Sequence, residues 1–169
     1  MEAQFKRIYK SKLGTILIEG NEEAITSVYF VEENQVFDTL KISDKVPVII
    51  DHCAFLLNEY FEGRLTDFDI RVKPQGTPFQ QEIWQLLKAI PFGATQSYLE
   101  LAKKYGDAKA IRAVAAANGK NPVAIIIPCH RVIGSHGELT GYSGKLWRKK
   151  WLLDHEQVKA GKQQSLFEL

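Results

Sequence analysis

Apolar positions change their spacing along this chain, dividing it into a strand-rich start and a helical remainder. Phe5 to Tyr9, Leu13 to Glu19 and Ala24 to Val31 are short runs rich in β-branched and aromatic residues, with Gly20-Asn21 as a turn signal. They predict an antiparallel meander. Pro47 then opens a segment in which Ile49, Ile50, Cys53, Leu56, Leu57, Tyr60 and Phe61 recur at spacings of three and four, with Gly63 as a stop. This predicts a helix that takes Cys53 into its core stripe and leaves His52 outside it. Phe68 to Val72 reads as one more strand.

Lys73-Pro74-Gln75-Gly76 has the composition of a linker. After it, Thr77, Pro78 and Gln80 spell a capping box with proline at the first helical position. Phe79, Ile83, Leu86, Leu87 and Ile90 form the apolar face of that helix, and Pro91-Phe92-Gly93 ends it. Ser97 and Glu100 make a second box, which sets Tyr98 in a first turn. Tyr105-Gly106 is a turn, and Asp107 caps a third helix through about Ala117, ended by Asn118-Gly119. Two short helices joined at a glycine have the shape of a helix-turn-helix. The third helix carries Ile111, Val114 and Ala115 toward the core and Arg112, Ala113, Ala116 and Ala117 on its other side. One long cation among alanines lets a helix approach a nucleic acid closely. The plainer alternative is that alanine favours helix and arginine keeps it solvated.

Composition changes this picture little. The chain is long enough for one or two small domains with a core, and no apolar run approaches the ~20 residues of a membrane span. Two cysteines, Cys53 and Cys129, are too few for a disulfide framework, and no signal-peptide pattern precedes them. Both features point to a reducing cytoplasm. Charge is more informative. Residues 1–73 carry 9 Lys/Arg against 13 Asp/Glu, whereas residues 74–169 carry 13 against 7, a net of −4 and +6. A basic second half suits a polyanion, or it is a chance division of solvated charge.

The chemistry concentrates in Ile125-Ile126-Ile127-Pro128-Cys129-His130-Arg131-Val132. An apolar, strand-like stretch ends in a proline and hands over to a cysteine and a histidine. A free thiol is only a few per cent ionised at neutral pH, and a nearby imidazole is a common remedy. A buried, inert cysteine at a strand end is the alternative. Beyond it, Gly134, Gly137, Gly141 and Gly144 punctuate a loop containing Tyr142 and Ser143. A last helix runs from Leu146 to about His155, and Glu156 shares the face of Leu152 and Leu153. A carboxylate on an apolar face needs a partner, and His130 is a reasonable one, completing a thiol–imidazole–carboxylate set. The alternative is a solvated glutamate at a helix end.

Taken together, Arg112-Ala113-Val114, Asn118-Gly119-Lys120-Asn121-Pro122, Pro128-Cys129-His130-Arg131-Val132, Gly141-Tyr142-Ser143-Gly144 and Trp151-Leu152-Leu153-Asp154-His155-Glu156 resemble the O6-alkylguanine-DNA alkyltransferases. The motifs fall in the family's order over residues 74–156. The resemblance implies an α+β protein. Residues 1–73 would form an RNase H-like antiparallel sheet with a helix. Residues 74–156 would form a mostly helical, winged helix-turn-helix-like domain, and residues 157–169 a polar tail. It implies direct repair of duplex DNA. Cys129 would take the alkyl group from O6 of a flipped-out guanine, irreversibly and once per molecule, without metal or organic cofactor. It leaves O4-alkylthymine open as a second substrate. His130 would deprotonate Cys129 through a water, Glu156 would orient His130, Asn121 would position the relay, and Tyr98 would supply a proton or hydrogen bond to the leaving base. Tyr98, Val132, Tyr142 and Ser143 would form the base pocket. Arg112 would fill the gap left in the stack, with Ala113, Ala116 and Ala117 allowing minor-groove approach and Lys109 and Lys120 contacting phosphates.

Lys145 departs from the family, which often has a second glycine there. Some members bind zinc in the first half; here only His52 and Cys53 are on offer, adjacent on one helix, so no metal is expected. Two rival classes remain: a Cys-His-Glu hydrolase, for which no oxyanion-hole signature is visible, and a non-catalytic lesion-binding protein, whose known examples lack the motif cysteine. The expectation is a cytoplasmic monomer, nucleoid-associated if bacterial. Gln163-Gln164-Ser165-Leu166-Phe167 is similar to the short peptides that dock bacterial proteins on the replication sliding clamp through residues such as Gln163, Leu166 and Phe167. A tail folding back on its own domain is the alternative.

Overall fold

The computed structural model describes residues 4–32, 34 and 41–161. It divides into two compact units, Met1–Gln75 and Gly76–Leu169. The clamp-like segment with Gln163, Leu166 and Phe167 lies outside the described residues.

The first unit is an antiparallel meander, β1 (Phe5–Ser11), β2 (Gly14–Gly20) and β3 (Ile25–Val31), with β2 in the centre. Ser11 pairs with Gly14 across a two-residue turn. Gly14 has φ 113°, a conformation that penalises any side chain, so Leu13 falls in the turn and the strand starts one residue later than its apolar pattern suggests. Ile16, Leu17 and Ile18 are all buried, so β2 is covered on both faces. Helix α1 (Val48–Phe61) packs on the sheet through Ile50, Cys53, Leu57, Tyr60 and Phe61. Cys53 is therefore core, and burial pushes its thiol up to about 12. The expected strand at Phe68 to Val72 reduces to a single parallel bridge between Val72 and Ile25. Only the amides of Ile25 and Lys73 bond across it, to Arg71 and Ile25 carbonyls.

The second unit holds α2 (Pro78–Lys88), α3 (Tyr98–Tyr105), α4 (Ile111–Gly119) and α5 (Leu146–Lys159), with a small parallel pair, β4 (Gln96–Ser97) and β5 (Val132–Ile133). Both capping boxes form: Thr77 with Gln80, and Ser97 with Glu100. Each satisfies two backbone donors that a helix start leaves open. Gly106, at φ 110°, closes α3 with amide bonds to Ala102 and Lys103 carbonyls. Asp107 caps a 3-10 turn, Ala108–Ala110, rather than opening the next α-helix directly. Three expectations change here. The helix after this turn starts at Ile111 and runs through Asn118 and Gly119 instead of ending before them. The last helix continues to Lys159 because Gln157 is buried and donates to the Gly93 carbonyl at 2.9 Å, so the polar tail starts later than residue 157. The stretch before Cys129 is an irregular turn, not a strand. Asn121 folds it by donating to the Ile127 carbonyl at 2.8 Å and accepting from the Val123 amide at 3.0 Å. This forces Ile125 to φ 71°, a strained value for a β-branched residue.

Candidate active site

Cys129 opens a one-turn 3-10 helix, Cys129–Arg131, between Pro128 and β5. Proline cannot donate an amide and fixes the entry angle. The next three side chains turn inward, so Cys129, His130 and Arg131 are all buried. They meet Glu156 on α5. His130 Nε2 lies 2.7 Å from Glu156 Oε1. Arg131 grips the same carboxylate as a fork, Nε to Oε2 at 2.8 Å and Nη2 to Oε1 at 3.0 Å. Its Nη1 donates to the Ile90 carbonyl at 2.6 Å, and the Gly93 amide donates to Oε2 at 3.3 Å.

Electrostatics fixes the protonation pattern. Burial alone would raise the Glu156 carboxyl, but His130 and Arg131 outweigh it and hold the group well below the usual carboxylate range. Burial lowers the pKa of His130, Glu156 opposes that only in part, and Arg131 and Lys149 lower it further. His130 is thus neutral near pH 7. A carboxylate only accepts, so Nε2 carries the proton and Nδ1 keeps a lone pair. Nδ1 is buried and has no partner among the described residues. Burial pushes the Cys129 thiol up, while the Asn121 side chain, the Lys149 charge and the amides of Cys129 and His130 pull it back. The resting sulfur is a thiol that needs a base, beside an imidazole with a free lone pair.

A second set surrounds this one. Tyr98, in the first turn of α3, donates its hydroxyl to the Thr140 carbonyl at 3.1 Å. Val132 and Tyr142 are buried, whereas Ser143 is exposed on the glycine loop. Burial raises the Tyr142 phenol well above its ordinary value. Lys145 takes φ 74° at the start of α5, a left-handed conformation that glycine adopts without strain. That explains why a glycine suits this position.

On the other face, Arg112, Ala113 and Ala116 of α4 are exposed, as are Lys109 and Lys120 at its ends. Ala117 is not. It is buried, and its carbonyl accepts from Trp84 Nε1 at 2.9 Å, which corrects its placement among the outward alanines. The helix turns by about 100° per residue, which sets residue 117 beside Val114 and Ile111's turn rather than beside Arg112.

Three contributors were not singled out by sequence reasoning. Arg131 was visible only as part of a motif. Asn118 donates to the Cys129 carbonyl at 3.4 Å. Lys149 is fully buried and donates to the Val132 and Thr140 carbonyls at 2.5 and 2.8 Å. A signal existed for Lys149: with Leu152, Leu153 and Glu156 it keeps the three-and-four spacing of the buried stripe of α5.

The fold and this buried thiol–imidazole–carboxylate set place the chain in a class of two-unit proteins with an inward cysteine beside a helix pair. Comparison with known proteins gives the family. Residues 5–74 match the ribonuclease-like domain of 6-O-methylguanine DNA methyltransferase, and residues 78–158 match its DNA binding domain. A methylated-DNA–protein-cysteine methyltransferase of Methanosarcina acetivorans is 42% identical over 88% of this chain and 96% of that protein. One of Mycobacterium tuberculosis is 40% identical over 96% of this chain and 98% of that protein. A crystal structure of Mycobacterium tuberculosis OGT in complex with DNA superposes with a TM-score of 0.82 at 40% identity, covering 92% of this chain and 94% of that one. The chain belongs to the 6-O-methylguanine DNA methyltransferase family.

Proposed function

We propose that the chain repairs DNA by moving an alkyl group from O6 of guanine to its own Cys129, once per molecule. The observation that carries this reading is the buried Cys129–His130–Glu156 set in a member of this family. The relatives are named as methyltransferases, which favours transfer over lesion binding alone.

In the reaction, the Cys129 proton passes through a water to Nδ1 of His130, while Glu156 holds Nε2–H and stabilises the imidazolium. The sulfur lone pair forms a bond to the alkyl carbon in line with the breaking C–O6 bond. The electron pair of that bond stays on the guanine, which takes a proton at its ring and is restored. Tyr98 supplies a hydrogen bond or proton to that leaving base, and Asn121 holds the turn that presents the sulfur. Tyr98, Val132, Tyr142 and Ser143 surround the flipped base. Thioether formation has no easy reverse, so the protein is consumed. O4-alkylthymine is a second candidate substrate.

The partner is double-stranded DNA, met by Arg112, Ala113 and Ala116 with Lys109 and Lys120 on phosphates. The protein acts as a cytoplasmic monomer associated with the nucleoid in a bacterial host. Among the described residues, no helix is long and apolar enough to cross a membrane. Arg112→Ala is expected to slow repair in duplex DNA by about ten- to a hundredfold while sparing repair of the free base, since unstacking costs a few kcal/mol; equal slowing on both substrates would argue against a role in flipping. Through Gln163, Leu166 and Phe167 the tail docks on a sliding clamp. Deleting residues 163–169 should remove retention on immobilised clamp, and unchanged retention would sink that idea.

The deciding experiment is peptide mass spectrometry after mixing the protein with an O6-methylguanine duplex. One methyl on the Cys129 peptide, stopping at one per protein as guanine is restored, is the expected result. Tight binding with an unmodified Cys129 and an intact lesion overturns the proposal.

A further inference from the structure

Lys149 is a fully buried charge that this chemistry leaves without a task. It lies on α5, seven residues before Glu156 and on the same inward face. Its side chain has no solvent exposure. Burying an ammonium is costly unless something nearby repays it. Its two hydrogen bonds go to carbonyl oxygens of Val132 and Thr140, at 2.5 and 2.8 Å. Neither is a carboxylate. The carboxylate on the same helix, Glu156, is engaged by His130 and Arg131. The Nζ atom also sits 5.7 Å from the centre of the Tyr98 ring. With Cys129 as a thiol and His130 neutral, Glu156 balances Arg131 and the charge of Lys149 is left over. With Cys129 as a thiolate, Lys149 gains an opposite charge inside the same buried cluster.

We infer that Lys149 is a positioning residue whose buried ammonium is the counter-charge for the Cys129 thiolate, holding the sulfur ionised as it reacts. The placement supports this. Val132 follows Cys129 by three residues, so the ammonium is tied to the start of β5, directly after the 3-10 turn that carries the nucleophile. Thr140 takes hydrogen bonds from both Lys149 and Tyr98, so the same charge is tied to the loop bearing Tyr142 and Ser143. The groups that face the site are Tyr98 from α3, Cys129, His130 and Arg131 from the 3-10 turn, Tyr142 from the loop, and Arg148 and Glu156 from α5. Of these, Cys129 is the acid able to supply the missing negative charge near neutral pH. Burial lowers Lys149 to about 8, and interaction with Cys129 opposes that fall. Coupling between two sites is reciprocal. Whatever Lys149 does to the ionisation of Cys129, Cys129 does to the ionisation of Lys149 by the same factor.

The inference deepens the proposed transfer, but its test needs no DNA. Iodoacetamide alkylates a thiolate: sulfur forms the new C–S bond, iodide leaves with the electron pair of the C–I bond, and the thiol proton goes to buffer. The rate is read on the Cys129 peptide by mass spectrometry across pH. Lys149→Met should move the midpoint of that profile up by about one pH unit, the lower end of what a close opposite charge contributes. Lys149→Arg keeps the charge and should stay near the wild-type midpoint. A Lys149→Met profile that coincides with wild type overturns the inference. A measurement on the wild-type chain covers the case in which that variant fails to fold. The Lys149 side chain is titrated by carbon NMR before and after Cys129 is alkylated. The midpoint should fall on alkylation, because a neutral thioether no longer opposes the effect of burial. A midpoint that stays in place overturns the inference equally. Should methyl transfer from DNA fail while both shifts appear, the fault lies in the proposed substrate and not in Lys149.

Discussion

Replacing Cys129 by serine abolishes covalent transfer while affinity for a lesion-containing duplex stays at the wild-type level. A serine hydroxyl does not ionise in the working pH range and is a poor nucleophile at a saturated carbon without a strong base. Loss of a nucleophile removes on the order of 10⁶-fold in rate, which for a protein consumed by one event means no measurable product. The proposed DNA-facing residues, Arg112, Ala113 and Ala116, are exposed on α4, whereas Cys129 is buried and is not one of them. Serine is close to cysteine in size, and the Asn121 side chain beside the sulfur can meet its hydroxyl. No other thiol takes over. Cys53 is buried among the α1 core residues with its thiol pushed up to about 12, so at neutral pH it is protonated and out of reach. The check is intact mass after incubation with an O6-methylguanine duplex, alongside gel-shift affinity. A methyl recovered anywhere on the Cys129→Ser protein would break the assignment of the nucleophile.

What could be read from the sequence follows how local each cause is. Helix starts were legible because a cap and its partner lie three residues apart, as Thr77 with Gln80 and Ser97 with Glu100 show. The meander was legible because its strands are short runs rich in β-branched and aromatic residues, with Gly20-Asn21 marking one of the two turns. The stretch before Cys129 was not, because its shape comes from a side chain. Three isoleucines in a row favour a strand on propensity alone, but Asn121 bonds the Ile127 carbonyl and the Val123 amide and bends the chain through Ile125. Phe68 to Val72 has strand composition but, among the described residues, gains only a bridge, from Val72 to Ile25. Ala117 was set on the wrong side of α4 because alanines carry no polarity to phase a helix; the indole of Trp84 decides it. At the site, Glu156 was legible as a carboxylate on an apolar stripe. Arg131 and Lys149 were not, because long cations are normally solvated, and only the packed structure shows that both are buried. Gln157 was read as tail for the same reason, although its amide reaches the Gly93 carbonyl.

Glu156→Gln destabilises the protein by about 3–5 kcal/mol and slows transfer by about 10²–10⁴-fold. The structural cost comes from Arg131. Its guanidinium is buried against Glu156 and the Ile90 carbonyl, and a neutral amide leaves that charge without its counter-ion. The kinetic cost comes from His130. A glutamine oxygen in the Oε2 place keeps Arg131 Nε and the Gly93 amide, but it turns its NH2 toward the imidazole and Arg131 Nη2. That NH2 would donate to Nε2 and move the ring proton to Nδ1, where the lone pair for the Cys129 proton is needed. If the amide turns the other way, its oxygen keeps His130 and Arg131 Nη2, but its NH2 meets Arg131 Nε and the Gly93 amide, both donors. One of the two functions fails in either orientation. The pH dependence of stability separates the two effects. The Glu156 carboxyl is held below its unfolded value, so its contribution is fully present above about pH 4.3 and is lost as pH falls toward the folded value. The lowered pKa of His130 acts in the same direction, with loss beginning as pH falls below about 6.5. Wild-type stability should therefore fall through the acid range, whereas below about pH 4.3 the variant, lacking the carboxylate, falls less. The two denaturation curves should converge as pH falls below about 4.3. Parallel curves from pH 7 to pH 3 would mean that the ion pair adds nothing to the fold. A variant of normal stability with slow transfer would assign Glu156 to His130 alone.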